Sequence, residues 1–162
     1  MFKHSLYSSY SDTSPKTASL ASIFQDIKSE KFKSRIEQIR GEEPGEKKDK
    51  LKKLLPAFTA SGLFNGRRKL ANLTNYTGVI GLDFDKVDVA KLAIAKGRLK
   101  DDQCVLGYFV SPSGNGLKVF VITDAKSKNH RFAFHTVKAH VEKLSGVKAD
   151  ESCKDITRLC FM

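Results

Sequence analysis

The spacing of apolar positions changes character near residue 57. Before it the rhythm is helical. Leu20, Ile23, Phe24 and Ile27 recur at i, i+3, i+4 and i+7, the stripe of an amphipathic helix. Phe32, Ile36 and Ile39 predict a second short helix that ends near Gly41. Charged residues 41–50, with Pro44 and Gly45, read as a loop entering a third helix. Leu51, Leu54 and Leu55 lie on one side of that helix, Lys47, Lys48, Lys50, Lys52 and Lys53 surround the rest, and Pro56 stops it. Residues 1–16 are rich in Ser and Tyr. They predict an edge strand, then a helix capped at Ser14 with Pro15 in its first turn.

From Ala57 the runs become short and β-like. Gly62, Asn65 and Gly66 mark a turn, with Arg67, Arg68 and Lys69 just beyond it. Thr77–Asp85, Gln103–Val110, Leu117–Thr123 and Thr157–Met162 read as strands. Val87, Ala90 and Ile94 outline a helix between the first two. Phe134, Val137, Val141 and Leu144 outline a longer one that ends at Gly146. The order predicts an α+β domain with a mainly antiparallel sheet packed with helices, its last six elements forming an RNA-recognition-motif-like (RRM-like) unit. Residues 1–162 then make a single domain, with a mostly helical part over 1–56 and a sheet-rich part over 57–162. No turn or cap follows the final strand, which predicts that the C-terminal end of the domain is missing.

Composition narrows the class. Hydrophobic residues make up 40% and charged residues 29%, as in a globular protein rather than a disordered one. No apolar run approaches the roughly 20 residues of a membrane span, and the N-terminus lacks a secretory leader, so a cytoplasmic protein without membrane partners is expected. Cys104, Cys153 and Cys160 are odd in number and show no Cys-x-x-Cys spacing, which argues against a disulfide framework and a zinc knuckle. The net charge of +11 is uneven. Residues 1–50 hold 10 Lys and Arg against 8 Asp and Glu, and the remainder holds 19 against 10. Such an excess favours polyanionic partners, nucleic acid first.

Three segments can carry chemistry. In Gly81-Leu82-Asp83-Phe84-Asp85 the strand alternation puts Asp83 and Asp85 on one side, with Gly81 leaving room beside them. Two converging carboxylates favour Mg²⁺ or Mn²⁺; alternatively, one of them merely caps the next helix. Ser111-Pro112-Ser113-Gly114-Asn115-Gly116-Leu117-Lys118 joins two strands. Its backbone N–H groups can cradle phosphate, assisted by Ser113 and Lys118. The alternative is an ordinary hairpin, for which Asn115-Gly116 is a strong signal. Asp155-Ile156-Thr157-Arg158 offers a further acid and a phosphate-gripping arginine, with Asp150 near enough to compete for the acid's role. His130, His135 and His140 are five apart, about 140° of helical turn per step, and so do not converge on a metal.

The order of these segments resembles the archaeo-eukaryotic primase superfamily, in particular the primase-polymerase-like domain of bacterial mobile-element proteins known as the VirE N-terminal family. The resemblance covers most of the chain, including Lys50-Leu51-Lys52-Lys53-Leu54-Leu55-Pro56-Ala57, Ser61-Gly62-Leu63-Phe64 and Asp155-Ile156-Thr157-Arg158-Leu159-Cys160-Phe161. It implies two-metal nucleotidyl transfer on nucleic acid, expected to be DNA. Asp83, Asp85 and Asp155 would hold Mg²⁺ or Mn²⁺. Ser111, Ser113, Gly114, Gly116, Lys118 and Arg158 would bind a nucleoside triphosphate, and Arg67, Arg68 and Lys69 the template backbone. A helicase domain or protein is an expected partner. Many relatives carry a histidine near the position of Lys118. A non-catalytic nucleic-acid-binding module and a two-metal nuclease are the rival expectations.

Overall fold

The computed structural model describes residues 2–162. In chain order the elements are β1 (Lys3–Tyr7), β2 (Lys16–Ser19), α1 (Leu20–Lys28), α2 (Lys33–Gly41), α3 (Glu46–Lys53), β3 (Ala57–Thr59), β4 (Gly62–Phe64), β5 (Leu73–Tyr76) and β6 (Val79–Phe84). They continue with α4 (Val89–Leu99), β7 (Val105–Val110), β8 (Leu117–Ile122), α5 (His130–Ser145) and β9 (Leu159–Phe161). The fold is α+β and every strand pairing is antiparallel. Among the described residues no helix is long and apolar enough to cross a membrane.

The strands form a four-stranded sheet ordered β2-β1-β3-β9, a β4-β5 ribbon and a three-stranded sheet ordered β6-β8-β7. Alternation along β6 and β8 splits the three-stranded sheet into two faces. Ile80, Leu82 and Phe84, with Leu117, Val119 and Val121, pack against Leu92 and Leu99 of α4 and Phe134, Val137 and Val141 of α5. Phe120 points the other way. It meets Leu20 and Ile23 of α1, Phe58 of β3, Ala60 just after it, and Met162. The second core therefore glues the two sheets together, and the seam between them runs past Asp83.

Four expectations need correction. The first strand is not at an edge, because β1 lies inside a sheet, between β2 and β3. The first helix is capped at Ser19, whose side chain accepts from the Ser22 N–H, and not at Ser14. Residues 16–19 pair with β1, so a helix can begin only where that ladder ends. The buried face of α4 is Leu92, Ala95 and Leu99, and Ile94 is exposed. Finally, β9 does not join β6, β7 and β8 but pairs with β3. At Asp83 the neighbour of β6 away from β8 is the loop residue Asp150, whose N–H donates to the Asp83 carbonyl at 2.7 Å.

Strand β1 also buries a titratable group. His4 is fully buried, and its Nδ1–H donates to the Ala60 carbonyl at 3.0 Å. Burial lowers its pKa below 6.5, against the pull of the Thr59 and Ala60 backbone. Burial likewise lowers His130, whose Nδ1 hydrogen-bonds the Tyr76 hydroxyl. The unfolded chain therefore takes up protons that the native state resists. The stability this gives is present above pH 6.5 and is lost as pH falls below it. Thermal melts should show Tm falling from pH 7.5 to pH 5. His4→Asn, which keeps a donor for Ala60 but cannot titrate, should flatten that fall; an unchanged slope would assign the loss to other groups.

Candidate functional site

The antiparallel register sets Lys118 of β8 directly opposite Asp83 of β6. Both side chains face the seam between the sheets. The Lys118 ammonium donates to Asp83 Oδ2, and the two side chains are 11% and 14% exposed. Burial by itself pulls the Lys118 pKa down, while Cys160, the Asp83 carboxylate and Cys153 act in the opposite direction. The net shift is upward. Asp83 Oδ1 is buried and has no hydrogen-bond partner among the described residues. A buried carboxylate oxygen without a donor is costly, so it marks a place where a cation or a ligand donor is wanted.

Asp85 lies just past the end of β6. Partial burial of its carboxyl raises its pKa, and the negative charge of Asp83 adds to the rise; Lys118 and Lys52 act against it. Lys86 follows in the left-handed region at φ 53°. This tight turn brings the Val87 N–H to the Asn115 carbonyl at 2.8 Å, which docks the 111–118 loop beside Asp85.

The loop is not the two-residue Asn115-Gly116 hairpin. Ser111 and Gly116 close it through a Ser111 N–H to Gly116 carbonyl bond of 2.9 Å. Inside it a turn runs from Ser111 to Gly114, closed at 2.8 Å, with Pro112 at its second position. Gly114 has φ +85° and lies under Arg40, whose Nε would sit 3.2 Å from an added Cβ. Gly116 is needed for proximity instead. A Cβ there would fall 2.4 Å from the Phe84 carbonyl oxygen, 2.9 Å from Ser111 Oγ and 3.4 Å from Asp85 Oδ1. Two of the loop's N–H groups are thus used internally. Ser111 is buried with its hydroxyl unpartnered among the described residues, and Ser113 is half-buried.

Asp83, Lys118 and Ser61 form part of a cleft completed by Cys153, Cys160, Asp155 and Arg158, with about 30 Å³ of room inside. That holds a water or a bare ion; anything larger must sit at its mouth. Gly81 also lines the cleft, and an added Cβ there would meet Ala60 at 3.3 Å and Phe120 at 3.4 Å. Burial pushes the thiols of Cys153 and Cys160 up to about 11 and about 12, which leaves them protonated and poor nucleophiles.

The remaining acids are less tightly drawn in. Asp155 lines the cleft, yet its carboxylate lies 3.3 Å from Arg131, with both side chains largely exposed. Asp150 bonds to Ser152, sits 3.9 Å from Arg158, and raises the pKa of Asp85 through its charge. Among the described residues no three His, Cys, Asp or Glu side chains gather closely enough to hold a metal together. Arg67, Arg68 and Lys69 follow β4 at the surface. Arg68 lies over the exposed Tyr10 ring at 5.0 Å, and Lys53 lies over the same ring at 5.5 Å. Arg40 is the addition that sequence reasoning missed. Only charge marked it, and charge alone does not separate a site residue from a solvated face.

A protein-family model described as "BT4734-like, N-terminal domain" matches residues 50–162, a span that contains both acids, the loop and Arg158. No curated protein and no solved structure matches the chain.

Proposed function

The chain belongs to the family of BT4734-like N-terminal domains, and from the site within the matched span we propose that it is a divalent-metal-dependent nucleotidyltransferase of the primase-polymerase kind, acting on DNA. One observation carries the reading. Asp83 presents a buried, unpartnered carboxylate oxygen beside Asp85, at the point where the 111–118 loop closes on the end of β6. In this reading β6-α4-β7-β8-α5 is the RRM-like catalytic unit, with its acids on and just past the first strand and its phosphate loop between the last two strands.

Hard cations take oxygen ligands, and the donors here are carboxylates, so the residues fit Mg²⁺ or Mn²⁺. Asp83 Oδ1 and Asp85 would hold the ion, which when bound lowers the charge barrier between a primer hydroxyl and a triphosphate. The chain's own groups orient the substrate. Loop N–H groups not used in its turn, with Ser113, face the phosphates, and Arg40 and Arg158 supply positive charge at the rim. The reaction joins the 3′-hydroxyl oxygen to the α-phosphorus and breaks the bond to pyrophosphate. The hydroxyl proton passes to solvent or to a nearby carboxylate. Basic side chains around Tyr10 hold the template strand, where an aromatic ring among cations suits a stacked base.

The test is template-dependent incorporation of nucleotide in Mn²⁺. Asp85→Asn should lower the rate roughly hundredfold, the scale of losing one electrostatic group in a site, with DNA affinity unchanged. The rival of a non-catalytic DNA-binding module has its own support, because Lys118 already neutralises one oxygen of Asp83. It predicts salt-sensitive DNA binding with no incorporation by either protein, and that result would replace the enzyme reading.

A further inference from the structure

We propose that Lys118 is a resident cation of this site: its ammonium fills one of the two cation places that a pair of catalytic carboxylates otherwise offers, so the site takes one divalent ion rather than two. The inference rests on reading Asp83 and Asp85 as metal ligands, and it departs from the two-metal scheme expected from sequence.

A carboxylate that bridges two metal ions with one ion on each oxygen needs both oxygens free. Asp83 has only Oδ1 left, because Oδ2 accepts from the Lys118 ammonium. Lys118 is also poorly placed to leave. It stands opposite Asp83 in the β6-β8 ladder, its side chain is 11% exposed, and Cys153, Cys160 and Phe120 line the cleft around it. A second divalent ion would have to sit a few ångströms from a fixed positive charge, a repulsion that a sheltered site screens weakly. The supply of acids points the same way. Asp155 turns to Arg131, and Asp150 is held by Ser152 and lies beside Arg158. Two donors remain, Asp83 Oδ1 and Asp85, enough to anchor one ion whose other ligands are water or phosphate oxygens.

The experiment is a Mn²⁺ titration of the full chain, with bound ion counted by electron paramagnetic resonance. Wild type should bind one ion. Lys118→Met, which is unbranched and uncharged, should bind two, or bind its one ion about tenfold or more tightly, as expected for loss of a neighbouring like charge. Two ions in wild type would overturn the inference and leave the metal site standing, as would one ion of unchanged affinity in Lys118→Met. No ion in wild type, matched by Asp85→Asn, would overturn the metal site and the inference together. A second measurement needs no variant and so does not depend on how Lys118→Met folds. The ¹⁵N-edited NMR signal of the buried Lys118 ammonium should persist when Mg²⁺ saturates the wild type, and its disappearance would show that the ion displaces lysine from Asp83.

Discussion

Lys118→Ala should destabilise the fold by about 3–5 kcal/mol, the cost of stranding one member of a buried ion pair. The size follows from where the pair sits. Lys50 and Glu46 also face each other, but with 77% and 91% of their side chains exposed. Water solvates each charge whether or not the other is present, and such a pair contributes about 0–1 kcal/mol. Asp83 and Lys118 have largely given up that hydration. Without the ammonium, Asp83 keeps its burial and loses its counter-charge, and its other oxygen has no hydrogen-bond partner among the described residues to fall back on. The paired substitution Asp83→Leu with Lys118→Met removes both charges and should recover most of the loss, since well-packed apolar groups often replace a buried pair at little cost. Urea unfolding of the two variants checks both statements. A loss below about 1 kcal/mol for Lys118→Ala, the surface-pair range, would mean that the pair is solvated and not locked.

The register that creates this pair could not be read from the chain. Strand alternation along Gly81–Asp85 correctly separated Ile80, Leu82 and Phe84, which face the helices, from Asp83. The heptad-like run from Phe134 to Val141 likewise gave α5 and its buried face. These signals are local, so periodicity reveals them. Which residue of β8 stands opposite Asp83 depends on how two strands 35 residues apart align, and no local pattern states that. Strand β1 was hard to place for a related reason. Lys3-His4-Ser5-Leu6-Tyr7 buries His4 and Ser5, polar residues that the apolar pattern assigns to the surface. Their hydrogen-bonding groups are met by distant backbone: His4 donates to Ala60, while the Ser5 hydroxyl accepts from the Phe64 N–H at 2.8 Å. The pairing of β9 with β3 depends on a three-residue register of the same non-local kind. Asp150 and Asp155 differ in loop contacts that sequence distance does not state. Asp150 reaches Asp83 through its backbone and Asp85 through its charge, whereas the Asp155 carboxylate turns outward to Arg131.

Gly116→Ala should have the other large effect, and it should exceed that of Gly114→Ala although only Gly114 has a positive φ. At Gly114 the added methyl meets Arg40 Nε at 3.2 Å. That long side chain can yield, so the cost is mainly the left-handed backbone, about 1–2 kcal/mol. At Gly116 the methyl would lie 2.4 Å from the Phe84 carbonyl oxygen, a backbone atom of the strand that carries Asp83. Neither side can yield without moving main chain, and overpacking of this kind costs about 1–3 kcal/mol or more. The displacement has a direction. It pushes the loop off the end of β6 and strains the Val87 N–H to Asn115 carbonyl bond and the Ser111–Gly116 closure. Asp85 Oδ1, 3.4 Å from the same methyl, is carried out of line with Asp83. Gly116→Ala should therefore be the less stable variant in urea, should exchange the Val87 amide hydrogen faster, and should bind Mn²⁺ more weakly, while Gly114→Ala keeps near-normal exchange at Val87. Equal stability of the two variants, with Val87 protected in both, would show that the loop accommodates a methyl against Phe84 and that its contact with β6 does not position the acids.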